Sequence, residues 1–446
     1  MNTSILPLKN KKVLIVGAGI SGIEAAKLAH NKGALVTLND IKKKQIEDLP
    51  EEIILEFGHH PEQLFMESDL IIVSPGVPQI PPLNKARSQN KTIIGEVELA
   101  LQYIKSKIAA ITGTNGKSTT VSLLGKLLES TGNPTFSGGN LGSPLSSIVD
   151  SEIASCQGLI SLELSSFQLE TIRSMQPAVA VLLNISEDHL SRYDSYEHYY
   201  KTKGQIFSGV QSGNHILSNY DDPLCRKLVA KHNKKAHWFS VNGNQKADFR
   251  LEGADLVFSG FDYKLPVSSV KIAGKHNLAN ILAAVGTALL MGINKDKIKQ
   301  IVEEFKGLPH RMEFSGQINK IKFYNDSKAT NVGSVIGSLS GFPTKYVLIM
   351  GGRHKGSSYK PLIPVLANSC RYVIAIGESA YLIKKDIEPE FPVLMINNLK
   401  EAIITALNLA RSGEAVILSP ACSSYDMYDN FKIRGSQFKK YVKNLS

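Results

Sequence analysis

The sequence predicts an α/β protein of three domains: an N-terminal Rossmann-like mononucleotide-binding domain, a central P-loop ATPase-like domain and a C-terminal Rossmann-like domain. Three observations lead there. Apolar runs of strand length alternate with helical patterns along most of the chain. Two of those runs end in glycine turns that open helices, "GAGISG" and "GTNGKST". The length of 446 residues exceeds one ordinary core, since about 150 residues per domain suggests roughly three. The expected boundaries are 1–95, 96–307 and 308–446.

In the first segment "KKVLIVG", "ALVTLN", "DLIIVSPGVP" and "KTIIG" read as strands, with a helix from about Ile20 to Asn31. Pro75, Pro78, Pro81 and Pro82 break the pattern at a strand end, where ligands of open α/β sheets lie. Gly17 to Gly22 match Gly-x-Gly-x-x-Gly after a strand, and Asp40 closes the next strand. Taken alone this reads as a dinucleotide fold. A full dinucleotide domain needs two βαβαβ halves, however, and the segment is too short for both. A single half, holding a nucleotide diphosphate on its helix N-terminus, fits the length better. The alternative is a glycine turn serving only close strand–helix packing.

A helix from near Glu96 leads to "AAITGTNGKSTT", residues 109–120. The usual phosphate-loop pattern has a glycine where Ile111 stands, so this loop is shortened. Its context is still strand (Ile108–Thr112), loop, helix (Ser118–Ser130). Backbone amides of such a turn, added to a helix N-terminus, make an anion site. Lys117 would reach the outer phosphates, and the Ser118 or Thr119 hydroxyl would sit on a metal. An ordinary turn, with Gly113 and Gly116 serving backbone geometry alone, leaves Gly-Lys-Ser-Thr at a helix start unexplained.

Glu163 ends the apolar run "GLISLEL", and Asp188 and His189 follow another in "NISEDHL". Polar groups at strand ends beside a phosphate loop are placed to hold Mg²⁺. Histidine is an unusual ligand for so hard a cation, so Mn²⁺ could substitute. Lys201 and Lys203 lie on a following helix and read as solvated. Short strands are expected near 214–270, then a long apolar helix in "GKHNLANILAAVGTALLMG".

The last third alternates again through "KIKFYNDSKATN", "KYVLIMGGRHKG", "RYVIAIG", "FPVLMI" and "EAVILSPACSS". Strand ends here carry Asp326, Lys328 and Thr330, then Arg353 and Lys355, then Ser423 and Ser424. Cations and hydroxyls so placed suit a carboxylate or phosphate ligand. The final helix, "NFKIRGSQFKKYVKNL", is the most basic segment and reads as a solvated face.

Composition narrows the function classes. Apolar residues make up 43% and charged residues 20%, an ordinary soluble balance. The N-terminus runs straight into a strand rather than a signal peptide. No stretch approaches the ~18 apolar residues of a membrane-spanning helix. Cys156, Cys225, Cys370 and Cys422 are widely spaced, which suits free thiols in a reducing cytoplasm. The net charge of +11 comes from scattered lysines with no aromatic-interleaved stripe, so nucleic acid is not an expected partner.

Seven segments, "GTNGKSTT", "LELSSFQLE", "NISEDHLSRY", "GKHNLANILAA", "LPHRMEF", "NDSKATN" and "LSPACSSYDMYDNF", resemble in order and spacing the motifs of the Mur ligase family. These are ATP-dependent amide-forming enzymes of peptidoglycan precursor synthesis. The shortened loop is that family's form, shared with folylpolyglutamate synthases. The resemblance covers all three domains and implies ATP, UDP-N-acetylmuramoyl-L-alanine and D-glutamate as small-molecule partners of a cytoplasmic monomer.

The resemblance also implies roles. Gly19, Ile20, Ser21, Asp40, Ile41 and Gly76 would hold the uridine diphosphate, and Asn140 the sugar-peptide part. Gly113, Thr114, Asn115, Gly116, Lys117, Ser118 and Thr119 would bind ATP, assisted by Asn277, Arg311 and Asp326. Ser118 and Glu163 would lie near one Mg²⁺ and His189 near a second. Lys203, counted from His189, falls at the family's carbamylated lysine, where a carbamate turns a cation into an oxygen ligand. Lys328, Thr330, Lys355, Ser424 and Phe431 would surround D-glutamate. Two departures stand out: Ser191 where aspartate is common, and Arg353–His354 where small or acidic residues often precede the lysine. The rival readings are another ligase of this fold, an NAD-dependent oxidoreductase built on "GAGISG", and a nucleotide-binding module without catalysis. The oxidoreductase leaves Gly-Lys-Ser-Thr without a purpose.

Overall fold

The computed structural model describes residues 7–188, 192–232, 235–272 and 274–445. They form two compact bodies. One comprises the described residues up to Asn184 with Tyr199–Leu265 and Asn280–Ile301; the other comprises those of Ile185–His198, Pro266–Ala279 and the chain from Val302.

The first body holds two sheets. In the N-terminal one, β1 (Lys12–Val16), β2 (Leu35–Asp40), β3 (Ile54–Phe57), β4 (Leu70–Val73) and β5 (Ile93–Gly95) run in the order β3-β2-β1-β4-β5. All pairs are parallel. Parallel strands covered on both faces read as continuous apolar runs, which is why "VLIV" of β1 is wholly buried. The strand order turns back between β1 and β4, and a crevice opens at such a switch point. The sheet has one strand more than the sequence suggested. β3 is an edge strand whose Ile54 and Leu55 stay exposed, so it carries no burial pattern to read.

The central sheet has nine strands: β6 (Lys107–Thr112), β7 (Thr135–Gly139), β8 (Leu159–Glu163), β9 (Val179–Leu182), β10 (His215–Asn219), β11 (His237–Ser240), β12 (Phe249–Glu252), β13 (Asp255–Phe258) and β14 (Tyr263–Pro266). Their order is β14-β13-β12-β11-β10-β9-β6-β8-β7. β6 lies between β8 and β9, with Ile111 opposite Glu163 and Thr112 opposite Leu182. The carboxyl ends of three strands therefore meet at one place, and the shortened loop leaves from the middle one.

A short helix, Glu96–Leu101, follows β5 and carries two buried carboxylates. Glu96 Oε1 accepts from Ser146 N–H (2.6 Å), and Glu98 Oε2 accepts from Arg173 and Ser174 N–H (2.8 and 3.0 Å). These bonds fasten the N-terminal sheet to loops of the central one. Burial pushes the Glu96 carboxyl up.

In the second body, β15 (Glu313–Ile318), β16 (Ile321–Asn325), β17 (Tyr346–Gly351), β18 (Cys370–Ile376), β19 (Val393–Met395) and β20 (Ala415–Leu418) run in the order β15-β16-β20-β17-β18-β19. β15 and β16 form a hairpin whose turn residues, Asn319 and Lys320, are both left-handed (φ 49° and 65°). The other pairs are parallel, with apolar clusters on both faces of the sheet.

The final helix, Phe431–Leu445, departs from the solvated face expected of it. Lys432, Lys440 and Lys443 are exposed, but Arg434, Phe438 and Val442 are buried. The Arg434 guanidinium donates to Ser327 Oγ (3.0 Å) and to the carbonyls of Ser327 (2.9 Å), Cys422 (3.1 Å), Gly351 (3.3 Å) and Ser423 (3.4 Å). Those acceptors follow or end β16, β20 and β17, three neighbouring strands. Burial pushes the guanidinium down to about 10, which leaves it charged at neutral pH. A planar five-donor group can satisfy several carbonyls at once, and a lysine cannot.

Among the described residues no helix is long and apolar enough to cross a membrane. Replacing Arg434 by methionine removes the guanidinium from four carbonyls, of which that of Ser423 keeps the Arg353 N–H (2.9 Å), and Arg434→Met is expected to lower stability by about 3 kcal/mol. Urea unfolding followed by tyrosine fluorescence checks this, with Arg434→Lys expected to recover only part of the loss.

Candidate functional site

The phosphate loop is built by its glycines and by one asparagine. Gly113 (φ 157°) and Gly116 (φ 86°) adopt backbone conformations that other residues resist, and a Cβ at Gly113 would come within 2.9 Å of Leu183. Asn184, just beyond β9, binds the loop three times. Its carbonyl accepts from Thr114 N–H (2.9 Å), its Oδ1 from Asn115 N–H (2.8 Å), and its Nδ2 donates to Asn115 O (3.0 Å). Sequence reasoning missed Asn184, although it opens "NISEDHL". Thr114 Oγ1 is 3.0 Å from the Tyr199 hydroxyl. The helix Lys117–Glu129 starts directly after Gly116, with Ser118 and Thr119 buried in its first turn.

Lys117 Nζ donates to the carbonyls of Gly113 (2.8 Å) and Thr114 (2.9 Å). Lys203 Nζ donates to the same Gly113 carbonyl (2.9 Å) and lies 4.8 Å from the Tyr199 ring centroid. At 2% exposure Lys203 is not the solvated lysine its sequence suggested, whereas Lys201 is exposed. The helix Tyr196–Gly204 buries Tyr199, Tyr200, Thr202 and Lys203 together, so its polar sequence conceals an inward face.

Glu163 ends β8 beside the loop and is 2% exposed. Its Oε1 accepts from Asn140 Nδ2 (2.9 Å) and its carbonyl from Asn140 N–H (2.9 Å). Its Oε2 is buried with no hydrogen-bond partner among the described residues. A buried, half-satisfied carboxylate beside a phosphate loop is a place where a cation fits. His189, the other expected ligand, lies outside the described residues.

Asn140 also lines a cleft of about 460 Å³ along the carboxyl edge of the N-terminal sheet. All seven residues expected to hold the UDP moiety or its sugar-peptide extension, Gly19, Ile20, Ser21, Asp40, Ile41, Gly76 and Asn140, line it. Lys42, Lys44, His60 and Ser74 line it too and were not foreseen. The helix Ile20–Asn31 points its uncapped N-terminus into this region from Gly19. Asp40 accepts from Ala18 N–H (2.7 Å), Lys42 N–H (2.8 Å) and Lys44 Nζ (3.4 Å). Burial pushes its carboxyl up, but the two amides and the Lys44 ammonium outweigh this and hold it below the usual range. Much of its acceptor capacity thus goes to organising the glycine turn.

In the second body, Asp326 is buried and accepts from Ser419 Oγ (2.7 Å) and Met312 N–H (3.2 Å). Burial pushes its carboxyl up to about 6, against these bonds and the nearby Arg311 charge. The same Arg311 charge reaches His276, which burial pushes down to about 4. Arg311, Asp326 and Asn277, the neighbour of His276, therefore share one region of this body. Lys355 Nζ meets Asp188 Oδ1 (3.3 Å) and Thr330 Oγ1 (3.5 Å), and Asn331 Nδ2 donates to Asp188 Oδ2 (3.0 Å). Lys328 Nζ stands 4.0 Å over the Phe431 ring, a cation–π contact. Ser424 is buried, and its carbonyl accepts from Met427 and Tyr428 N–H.

A cleft-bearing Rossmann-like sheet, a shortened phosphate loop and a further α/β sheet, following one another along the chain, define a class, and the sequence comparisons agree with it. The profile of the MurD-like N-terminal domain matches residues 11–95, that of the Mur ligase middle domain 111–288 and that of the Mur ligase glutamate ligase domain 310–422. The chain belongs to the Mur ligase family. It is 40% identical over 452 residues to a UDP-N-acetylmuramoylalanine–D-glutamate ligase of Geotalea daltonii, covering 99% of each chain. It is also 40% identical over 453 residues to the enzyme of the same name from a Geobacter species, covering 98% of each. A solved UDP-N-acetylmuramate-alanine ligase of Thermotoga maritima shares the fold with a TM-score of 0.62 and 19% identity, over 98% of this chain and 100% of that one.

Asp326 and His276 give the second body a pH dependence of opposite signs. From the ordinary carboxylate value of 3.8 up to about 6, native Asp326 keeps a proton that the unfolded chain releases, so stability falls as pH rises. Between about 4 and 6.5 the unfolded chain binds a proton that native His276 refuses, so stability rises with pH. Asp326→Asn removes the first contribution alone. Its stability relative to the wild type is expected to increase as pH is raised from 4 to 6.5, read from urea midpoints; a difference independent of pH would contradict the assignment.

Proposed function

We propose that the protein is an ATP-dependent ligase that joins D-glutamate to UDP-N-acetylmuramoyl-L-alanine, releasing ADP and phosphate, in cytoplasmic peptidoglycan precursor synthesis. The observation that carries this reading is the Asn140–Glu163 pair. One partner lines a nucleotide-sized cleft and the other abuts the phosphate loop, on a chain similar over its full length to ligases of that name.

In this reading the uridine diphosphate occupies the cleft around Gly19, Ile20, Ser21, Asp40, Ile41 and Gly76. The alanyl carboxylate extends past Asn140. ATP lies on Gly113–Thr119, and Asn277, Arg311 and Asp326 are the further residues assigned to it. A carboxylate oxygen bonds to the γ-phosphorus as the bond from phosphorus to the ADP oxygen breaks. The resulting acyl phosphate is attacked by the D-glutamate amine. The tetrahedral adduct then collapses to amide and inorganic phosphate, and the amine's protons pass to solvent. Lys117 turns from the loop carbonyls toward the outer phosphates and neutralises charge that builds during transfer. Lys328, Thr330, Lys355, Ser424 and Phe431 hold the incoming glutamate, Lys355 exchanging its Asp188 partner for a substrate carboxylate.

Mg²⁺, or Mn²⁺ in its place, would be held by Ser118, Glu163, His189 and carbamylated Lys203 and would screen the phosphates. Glu163 Oε2, which has no hydrogen-bond partner among the described residues, suits that role. Carbamylation of Lys203 has its own physical motive. Two ammonium groups, those of Lys117 and Lys203, converge on the Gly113 carbonyl, and converting one to an anion replaces repulsion by attraction. The protein acts as a monomer on small molecules, without nucleic acid or membrane insertion.

Phosphate release from ATP, measured with UDP-N-acetylmuramoyl-L-alanine and a panel of D- and L-amino acids, tests the reaction. Release that depends on D-glutamate is expected, and release with another acceptor instead would overturn the specificity. Lys117→Ala and Glu163→Ala are each expected to cut this turnover by on the order of 100-fold or more. With ¹³C-bicarbonate, a carbamate carbon resonance is expected in the wild type and not in Lys203→Arg.

A further inference from the structure

We propose that His60 reads the base of the bound nucleotide: its unprotonated Nε2 accepts the N3–H of uracil and selects uracil against cytosine. The inference rests on the reading of the cleft as a uridine diphosphate site and adds the residue that would distinguish the base.

Sheet order gives the cleft a direction. Its lining passes from His60, beyond the edge strand β3, to Asp40 after β2, Gly19 after β1 and Gly76 after β4; Asn140 leads to Ser146, whose N–H bonds Glu96 directly after β5, on the far side of β4. The Asn140 end meets Glu163, so the acyl end of the substrate belongs there. The diphosphate belongs at the amides opening the helix from Gly19. The base then falls at the opposite end, between β2 and β3. Ile20 (69% exposed) and Ile41 (55% exposed) leave apolar surface in the same cleft, suited to the faces of a flat ring.

The proton on His60 is fixed by a residue that never reaches the cleft. Asn39 is fully buried on β2, and its Nδ2 lies 2.8 Å from both the Glu56 and the His59 carbonyls. Only the amide nitrogen can serve two carbonyls, so the side chain has one possible orientation. Its Oδ1 then faces His60 Nδ1 at 2.5 Å. An oxygen there can only accept, and the imidazole hydrogen must sit on Nδ1. In the neutral ring this leaves Nε2 as an acceptor, and no hydrogen bond within the described residues engages it. An edge contact with Phe65, at 6.5 Å and 85°, steadies the ring plane. Uracil presents a donor at N3, which this nitrogen satisfies. Cytosine presents a lone pair there, and two acceptors would face each other.

Calorimetric binding of UDP, N3-methyl-UDP and CDP to the full chain tests this. The wild type is expected to prefer UDP over both analogues by about tenfold or more, the scale of one unsatisfied polar group in a closed site. His60→Leu is expected to bind all three alike, with its affinity for CDP undiminished, and His60→Gln, whose amide oxygen can accept, to retain part of the preference. In the wild type, ring ¹⁵N shifts should show a protonated Nδ1 and a bare Nε2. If UDP binds and His60→Leu keeps the preference at an unchanged melting temperature, or if Nε2 carries the proton, the base-reading role is overturned while the cleft assignment stands. If the wild type binds no UDP, both fall together, and phosphate release should fail with them.

Discussion

Glu163 is the residue on which the arrangement of the first body turns. Its backbone ends β8 opposite Ile111 of the phosphate-loop strand, and its carbonyl and carboxylate both accept from Asn140 after β7. A carboxylate so buried is costly unless its oxygens are satisfied. Asn140 satisfies one, and the other has no hydrogen-bond partner among the described residues. The same pair fixes the backbone that leads into Gly142 and Pro144, which complete the cleft. One electrostatic requirement thus couples the geometry of two ligand regions, and the buried carboxylates of Glu96 and Glu98 hold the N-terminal sheet where that coupling is useful.

The second body solves a comparable problem with the opposite charge. Arg434 gathers the carboxyl ends of β16, β20 and β17, and from those ends come the segments bearing Lys328 and Thr330, Lys355, and Ser424. In the proposed function these loops would hold the amino acid substrate, a task that calls for polar, outward-facing side chains and leaves little apolar surface with which to pack. A buried guanidinium supplies the missing order through their carbonyls. Asp326 and its Ser419 partner add a second tie between β16 and β20.

Three of the lysines at these sites are held by carbonyls or a carboxylate, and Lys328 lies over the Phe431 ring. Lys117 and Lys203 rest on the phosphate loop, and Lys355 on Asp188. Each contact is with a group that a phosphate or carboxylate of a substrate can replace. In the proposed function, binding would exchange one charge-assisted bond for another.

The sequence by itself determined the class of fold, the phosphate loop and the glycine turn at Gly17–Gly22. These depend on short-range physics: apolar runs long enough for buried strands, and glycines at positions whose backbone other residues resist. It also marked Glu163, Asp40 and the clusters at 326–330 and 353–355, because polar residues directly after apolar strands are legible as strand ends. Tertiary structure alone decided that Lys203 turns inward, that Arg434 of a basic helix becomes a buried clamp, and that Asn184 supports the loop. It likewise decided that β3 exists as an edge strand and that Asn39 sets the proton on His60. Each of these depends on which strand ends become neighbours. A polar side chain looks the same in sequence whether it meets water or a carbonyl from a distant strand, and only the sheet order chooses between them.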